Sequence, residues 1–204
     1  MYEGLLFVVS GPSGAGKGTI CKRIKDKLNI DLSVSMTTRE PRPGEAEGVS
    51  YHYVTKDKFT KILDEGGFLE YALVFGNYYG TPKEAVMQSL KKGCDVVLEI
   101  DIQGAMQIRK TSPDAVFIFI LPPSMSELRK RITGRGSETE DAINMRLGKA
   151  LKEVSYIDKY DYCVVNGELN EAVERVAAII KAEHSRVSED IYDLIKMYKE
   201  ELPC

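Results

Sequence analysis

The sequence predicts an α/β fold in which a parallel sheet is flanked by helices. Leu5–Val9, Asp95–Ile100, Ala115–Leu121 and Tyr162–Val165 have the continuous apolar character of strands buried on both faces. Between and after them apolar residues recur at helical spacing, and such alternation argues for parallel strands joined by crossover helices. With 204 residues, 43% of them hydrophobic, the chain can bury a sizeable core as one domain or one domain carrying insertions.

Taken in order, Leu5–Val9 is the first strand, and Ile20, Ile24 and Leu28 mark one face of the first helix. A fifth, shorter strand is expected over Leu32–Ser35. From Thr37 to Pro82 the alternation lapses into a stretch rich in Gly, Pro, Tyr and charge, with a strand-like Tyr51–Val54, which reads as an inserted subdomain. Ser124 to Lys149 is a charged helical segment broken at Gly134-Arg-Gly136, the pattern of a mobile cover over a site. Ala172, Val176, Ile179 and Ile180 form the apolar face of a late helix. Val187, Ile191, Leu194, Ile195 and Tyr198 line one side of a terminal amphipathic helix, expected to pack on the parent domain or a subunit neighbour, with a regulatory or membrane role as the alternative. The expected organisation is a core of residues 1–34, 83–123 and 150–186, a subdomain over 35–82, a lid over 124–149 and the helix of 187–204.

Charge and cysteine usage exclude several classes. A formal net charge of -3, from 28 basic and 31 acidic residues, gives no bulk attraction to nucleic acid or to an anionic membrane, so any phosphate binding must be local. Cys21, Cys94, Cys163 and Cys204 form no CxxC pair and suggest neither a zinc site nor a disulfide framework, but reduced cytoplasmic thiols. Leu5–Val9 lacks the basic flank and length of a signal peptide, and no run approaches the roughly 20 apolar residues of a spanning helix. A soluble cytoplasmic protein is expected. His52 and His184 have no partner at ligand or triad spacing.

The chemistry starts at Gly11-Pro12-Ser13-Gly14-Ala15-Gly16-Lys17-Gly18-Thr19, which follows an apolar strand and opens an amphipathic helix. Glycines let successive N–H groups turn around an anion, the helix N-terminus adds its dipole, and Lys17 can reach the outer phosphates. This is a P-loop NTPase core. Gly18 stands where most such loops carry a Ser or Thr that binds magnesium directly. No direct protein ligand is therefore expected; Mg2+ would be held by phosphate oxygens and water, with Thr19 bonding an inner phosphate. Val96-Val-Leu-Glu99-Ile-Asp101 puts two acids on one face at the carboxyl end of a strand, where either can sit in the outer shell of the ion.

Three further strings narrow the function: Ser35-Met-Thr-Thr-Arg39-Glu-Pro-Arg42-Pro-Gly44, Gly48-Val-Ser-Tyr51 and Asn77-Tyr-Tyr79-Gly-Thr81-Pro82. With them the sequence closely resembles the guanylate kinases, P-loop nucleoside monophosphate kinases, over about residues 4 to 184. The resemblance implies transfer of the γ-phosphoryl of ATP to GMP, and to dGMP, in guanine nucleotide synthesis and salvage. It implies that Arg39 and Arg42 hold the GMP phosphate with the hydroxyls of Tyr51 and Tyr79, a suitable set because guanidiniums bond phosphate oxygens in pairs. It surrounds the guanine with Ser35, Glu70 and Thr81, with Asp101 nearby, and counts Glu99 and Asp101 in the GMP-binding set. A carboxylate suits the guanine N1–H and N2–H2 donors, whereas adenine would leave it unpaired, a mismatch worth up to a factor of about 10⁴. Arg131, Arg135 and Arg146 match the family's lid arginines, and Asn166 is expected near the adenine of ATP. The implied catalytic set is Lys17, Arg39, Arg131, Arg135 and Arg146, with ATP, GMP and Mg2+ bound, no nucleic acid or membrane partner, and a monomer or homodimer.

Two alternatives stay open at this stage. A non-catalytic guanylate-kinase-like scaffold module would bind phosphopeptides, but such modules lose the nucleotide loop, whereas Lys17 and the lid arginines stand here and no SH3 or PDZ region is attached. A kinase for another nucleoside monophosphate is the second; Glu70 and the Asn77–Thr81 string speak against it.

Overall fold

A computed structural model describes residues 4–74, 76–134, 139–187 and 189–202. Five strands, β1 (Leu6–Ser10), β2 (Asp31–Leu32), β7 (Val96–Glu99), β8 (Val116–Leu121) and β9 (Tyr162–Val165), form an all-parallel sheet in the order β2-β7-β1-β8-β9. Each central strand feeds two cores because successive side chains point to opposite faces. Phe7 and Val9 pack with Val97, Ile118 and Ile120 beneath α1 (Lys17–Leu28) and α7 (Leu169–Glu183), which bring Ile20, Ile24, Val173, Val176 and Ile180. Val8 packs on the other face with Leu98 and Phe117, under α3 (Lys83–Lys91) and α4 (Ile102–Thr111), which bring Val86, Ala105 and Ile108. Burial on both faces is why these strands read as unbroken apolar runs.

The second sheet lies within the stretch where the sequence alternation lapses. Its strands β3 (Met36–Thr37), β4 (His52–Tyr53), β5 (Phe68–Val74) and β6 (Asn77–Pro82) run in the order β4-β3-β6-β5, with β3–β4 parallel and the other pairs antiparallel. Helix α2 (Lys56–Asp64), capped by the Thr55 hydroxyl, places Phe59 against the rings of Phe68 and Tyr78 at centroid distances of 4.4 and 5.3 Å. The β5–β6 hairpin is interrupted near its start: the register shifts between Phe68 and Glu70, so that Phe68 opposes Pro82 but Glu70 opposes Thr81. Such a bulge re-aims the side chains that follow it.

Two short-strand expectations need correction. The expected strand Leu32–Ser35 is instead Asp31–Leu32 in the parallel sheet. Ser33 still donates its N–H to Val97, after which the chain crosses to the second sheet at Met36–Thr37. Tyr51–Val54 contributes only His52–Tyr53.

Helices α5 (Met125–Thr133) and α6 (Glu140–Val154) stand on either side of the break expected at Gly134–Gly136, of which 135 and 136 lie outside the described residues. Both are capped, by Ser124 and Thr139, and they share a small core of Leu128, Ile132, Ile143 and Ala150. The terminal helix α8 (Glu189–Glu201) keeps its apolar side exposed, with Ile191, Leu194 and Ile195 at 39, 40 and 39%. Among the described residues this face is therefore not buried on the parent domain, which leaves a subunit neighbour as the other expected partner. No helix among the described residues is long and apolar enough to cross a membrane.

Candidate active site

Strand β1 delivers the chain into the glycine loop at the carboxyl end of the parallel sheet, and α1 leaves from it. Gly16, at φ 94°, precedes the helix with no side-chain cap, so the first N–H groups of α1 are presented as an anion-binding end. The left-handed backbone and the close approach of a neighbour both require glycine here: a Cβ would lie 2.3 Å from Nδ2 of Asn166. Asn166 follows β9, is 5% exposed, and donates through Nδ2 to the Ala15 carbonyl at 2.7 Å, fixing the floor of the loop. Lys17 lies over the loop, its Nζ donating to the carbonyls of Gly11 at 2.6 Å and Pro12 at 3.2 Å. Thr19 is exposed in the first turn of α1.

Glu99 occupies the space beside Gly18. A Cβ on that glycine would lie 3.1 and 3.3 Å from the two carboxylate oxygens. Strand register explains the placement, since Glu99 pairs with Val9 two residues before Gly11. The Glu99 charge also reaches Tyr51, which precedes β4 and whose phenol is pushed up to about 12 first by burial and then by this carboxylate. Glu99 thus stands between the loop and the second sheet, in a donor set suited to an ion held through water.

The helical cover supplies cations to the loop. Arg146 on α6 donates to the Ser13 hydroxyl at 2.9 Å. Arg131 on α5 donates to the Asn166 carbonyl at 3.0 Å and is braced by Glu127 at 3.1 Å. Arg129 ties the two helices together through Asn144 and Glu140. Arg135 lies outside the described residues. Two turns beyond Arg146, Glu153 is near enough to the centre to feel the charges of Lys17 and Asp101. Burial raises its carboxyl, the charges of Lys149 and Lys17 lower it, and that of Asp101 raises it.

On the second sheet Arg39 is held from three sides. Its Nε donates to the Tyr79 hydroxyl at 3.2 Å, Nη1 to the Glu40 carbonyl at 2.6 Å, and Nη2 to both Glu45 oxygens at 2.9 Å. The ring of Tyr51 lies 5.4 Å from the guanidinium and 5.7 Å from the ring of Tyr79. Burial pushes the Glu45 carboxyl up, but donation from the Arg42 N–H, the Tyr53 hydroxyl and Arg39 outweighs it and holds the group below its ordinary range. The side chain of Arg42 is exposed, and its backbone N–H is what joins the cluster.

Glu70 is 4% exposed, with the Thr81 hydroxyl donating to it at 2.5 Å. Burial drives its carboxyl up to about 7; the Thr81 bond opposes the shift and the Asp101 charge adds to it. Asp101 itself caps α4, accepting from the Gly104 N–H at 3.0 Å and from Gln103 at 3.1 Å. Ser35 is half-buried at the crossing between sheets, where its carbonyl accepts from the His52 N–H at 2.9 Å. Arg39, Tyr51 and Tyr79 therefore meet in one cluster, Glu70 and Thr81 in another, and the loop, Asn166, Arg131 and Arg146 in a third.

Sequence reasoning missed Glu45, Tyr53, Lys149, Glu153 and Gly104. Only Glu45 had a readable signal, the Pro43-Gly44 turn that folds it back so that its N–H bonds the Arg42 carbonyl at 3.0 Å. A recess of about 450 Å³ lies between the β2 edge and β4; Tyr53 borders it, but the glycine loop, Arg39, Glu70, Arg131 and Arg146 do not.

A loop offering N–H groups and a lysine to phosphate, faced by arginines on two covering helices, defines the P-loop phosphotransferase class of α/β proteins. Known proteins narrow this. The family model described as guanylate kinase matches residues 4–183. The chain is 52% identical to a guanylate kinase of Clostridium tetani, over 98% of this chain and 96% of that protein. It is 55% identical to that of Clostridium acetobutylicum, over 91% and 88%. The solved guanylate kinase of Anaplasma phagocytophilum superposes with a TM-score of 0.78 at 35% identity, covering 92% of this chain and 89% of that one. A shikimate kinase from Bacteroides thetaiotaomicron, at 14% identity and a TM-score of 0.52, shares the fold alone. The chain belongs to the guanylate kinase family.

Proposed function

We propose that the chain is an ATP:GMP phosphotransferase in which residues 35–82 bind GMP and residues 124–149 close over ATP. The observation that carries the GMP assignment is Glu70, a carboxylate 4% exposed beside Thr81. Buried acids need donors, and the N1–H and N2–H2 edge of guanine supplies two in line. Ser35 and Asp101 complete the base site.

The GMP phosphate goes to Arg39, Arg42, Tyr51 and Tyr79. Tyr51 stays protonated, since its phenol is pushed up to about 12, and acts as a donor. The ATP phosphates go to the N–H groups of residues 11–19, with Lys17 turning from the loop carbonyls to the outer phosphates. Asn166 borders the adenine. An oxygen of the GMP phosphate attacks the γ-phosphorus in line as its bond to the β,γ-bridging oxygen breaks, leaving GDP and ADP. No general base is needed because the nucleophile is already anionic. Arg131, Arg135 and Arg146, with Lys17, neutralise charge spreading over the transferring oxygens. Glu99 or Asp101 would hold the waters of a bound Mg2+, which would supply charge neutralisation to the donor phosphates, and Thr19 would bond an inner phosphate. A cytoplasmic location agrees with the free thiols of Cys21, Cys94 and Cys163.

The test is a coupled ADP-release assay offering AMP, CMP, UMP, dTMP, GMP and dGMP in turn. Turnover with GMP and dGMP is expected, and absence of turnover with GMP overturns the proposal.

A further inference from the structure

Gly104 lies in the first turn of α4, buried, at a place where alanine would serve the helix better by about 1 kcal/mol. Its φ is not among the positive ones, so no backbone conformation demands a glycine. Its surroundings do. A Cβ there would lie 2.1 Å from Oε2 of Glu70, 2.8 Å from its Cδ and 3.3 Å from its Cγ. All three are atoms of one flexible side chain, which can give way where backbone could not.

We infer that Gly104 is a specificity-positioning residue, the seat that lets the Glu70 carboxylate lie where it can meet the guanine edge. The inference rests on the reading of Glu70 as the guanine acceptor. Three features converge on the seat. The bulge in β5 turns Glu70 toward α4, the Thr81 hydroxyl holds Oε1 from one side at 2.5 Å, and the missing side chain of residue 104 admits Oε2 from the other. Ordinary contact begins near 3.4 Å, so a methyl group would force Oε2 back by more than an ångström. The helix itself would keep its cap, because Asp101 bonds the backbone N–H of residue 104 and not a side chain. A displacement of about 1 Å in a positioning group costs on the order of 100-fold in rate.

The experiment compares Gly104→Ala, Glu70→Gln and the double variant by steady-state kinetics with ATP and GMP, and by thermal melting. Gly104→Ala should lower kcat/KM for GMP by about 100-fold, chiefly through KM for GMP, while KM for ATP is unchanged and the melting temperature equals or exceeds that of wild type. The double variant should be no worse than the worse single one, because both changes act on one carboxylate. Wild-type kcat/KM in Gly104→Ala alongside a loss in Glu70→Gln overturns the inference and leaves the guanine reading standing. Unchanged GMP kinetics in Glu70→Gln instead overturns that reading. Additive losses, or a Gly104→Ala protein that melts well below wild type, also overturn the inference, since the methyl would then be striking something other than Glu70.

Discussion

Replacing Glu70 by Gln should make the protein more stable at pH 8 as it removes the proposed guanine acceptor. Burial, first, and the Asp101 charge, against the Thr81 bond, raise the carboxyl from 4.5 to about 7. A raised acid binds more protons folded than unfolded, so its contribution to stability is fully present below pH 4.5 and is lost as pH rises to about 7. With a tenfold change in proton affinity worth ~1.4 kcal/mol, a rise from 4.5 to about 7 means that the charged form costs the fold about 3 kcal/mol at pH 8. Glutamine escapes that cost but buries an amide whose two N–H donors face Gly104, which returns about 1 kcal/mol. The net gain is about 2 kcal/mol, or ~4–8 °C in Tm for a chain of this length. Melting curves of both proteins at pH 8 and pH 4 measure it. At pH 4 the carboxyl is protonated in both states and the advantage should vanish. A variant that melts lower at pH 8, or differs from wild type by the same amount at both pH values, refutes the argument.

Lys17→Ala should cut turnover by at least about 10³-fold in the coupled assay while circular dichroism shows an intact fold, because Lys17 is bonded only to loop carbonyls among the described residues; retained activity removes it from the catalytic set. Glu45→Gln sets two effects against each other, loss of the anchor that orients Arg39 and relief of an anion near the proposed GMP phosphate site. Three donors already offset the Glu45 charge, so orientation should win and KM for GMP should rise about tenfold with KM for ATP unaltered; a lower KM would show that repulsion dominates.

The phosphate loop was legible in the sequence because its geometry is local. Strand, glycines, lysine and helix are consecutive, and turn chemistry plus periodicity suffice to join them. The second cluster is different. Arg39 and Tyr79 meet because Thr37 pairs with Tyr79 across β3 and β6, and a strand two residues long carries no period to read. Their association came from likeness to a family and not from pattern. Glu70 depends on one extra residue in β5, a bulge that no propensity announces, and on a glycine more than thirty positions later. Asp101 shows the converse: an acid read as a ligand also caps α4, and a side chain preceding a helix deserves that reading first. The expected strand at Leu32–Ser35 failed because the chain leaves the parallel sheet after Leu32 for the other sheet, a tertiary choice made by residues far away.

Gly18 and Glu99 together bear on how the proposed site would meet a metal ion. Loops with a hydroxyl at the position of Gly18 bring a direct ligand to the ion; here the same space holds a carboxylate, 3.1 Å from where a Cβ would begin. That carboxylate ends β7, is exposed, and acts electrostatically on Tyr51, so it lies on the side of the loop that faces the proposed acceptor site. An acid so placed can orient the waters of a hydrated ion without entering its first shell, and it adds negative charge that would repel phosphate unless a cation intervenes. Glu99→Gln removes the charge and keeps the shape. Because Glu99 is exposed, melting temperature should not change, whereas the Mg2+ concentration for half-maximal turnover should rise about 10-fold or more, in keeping with the loss of an outer-shell partner. Titrating Mg2+ at fixed ATP and GMP measures this. An unchanged Mg2+ dependence would mean that the phosphates alone organise the ion, and that Glu99 serves the acceptor side through Tyr51.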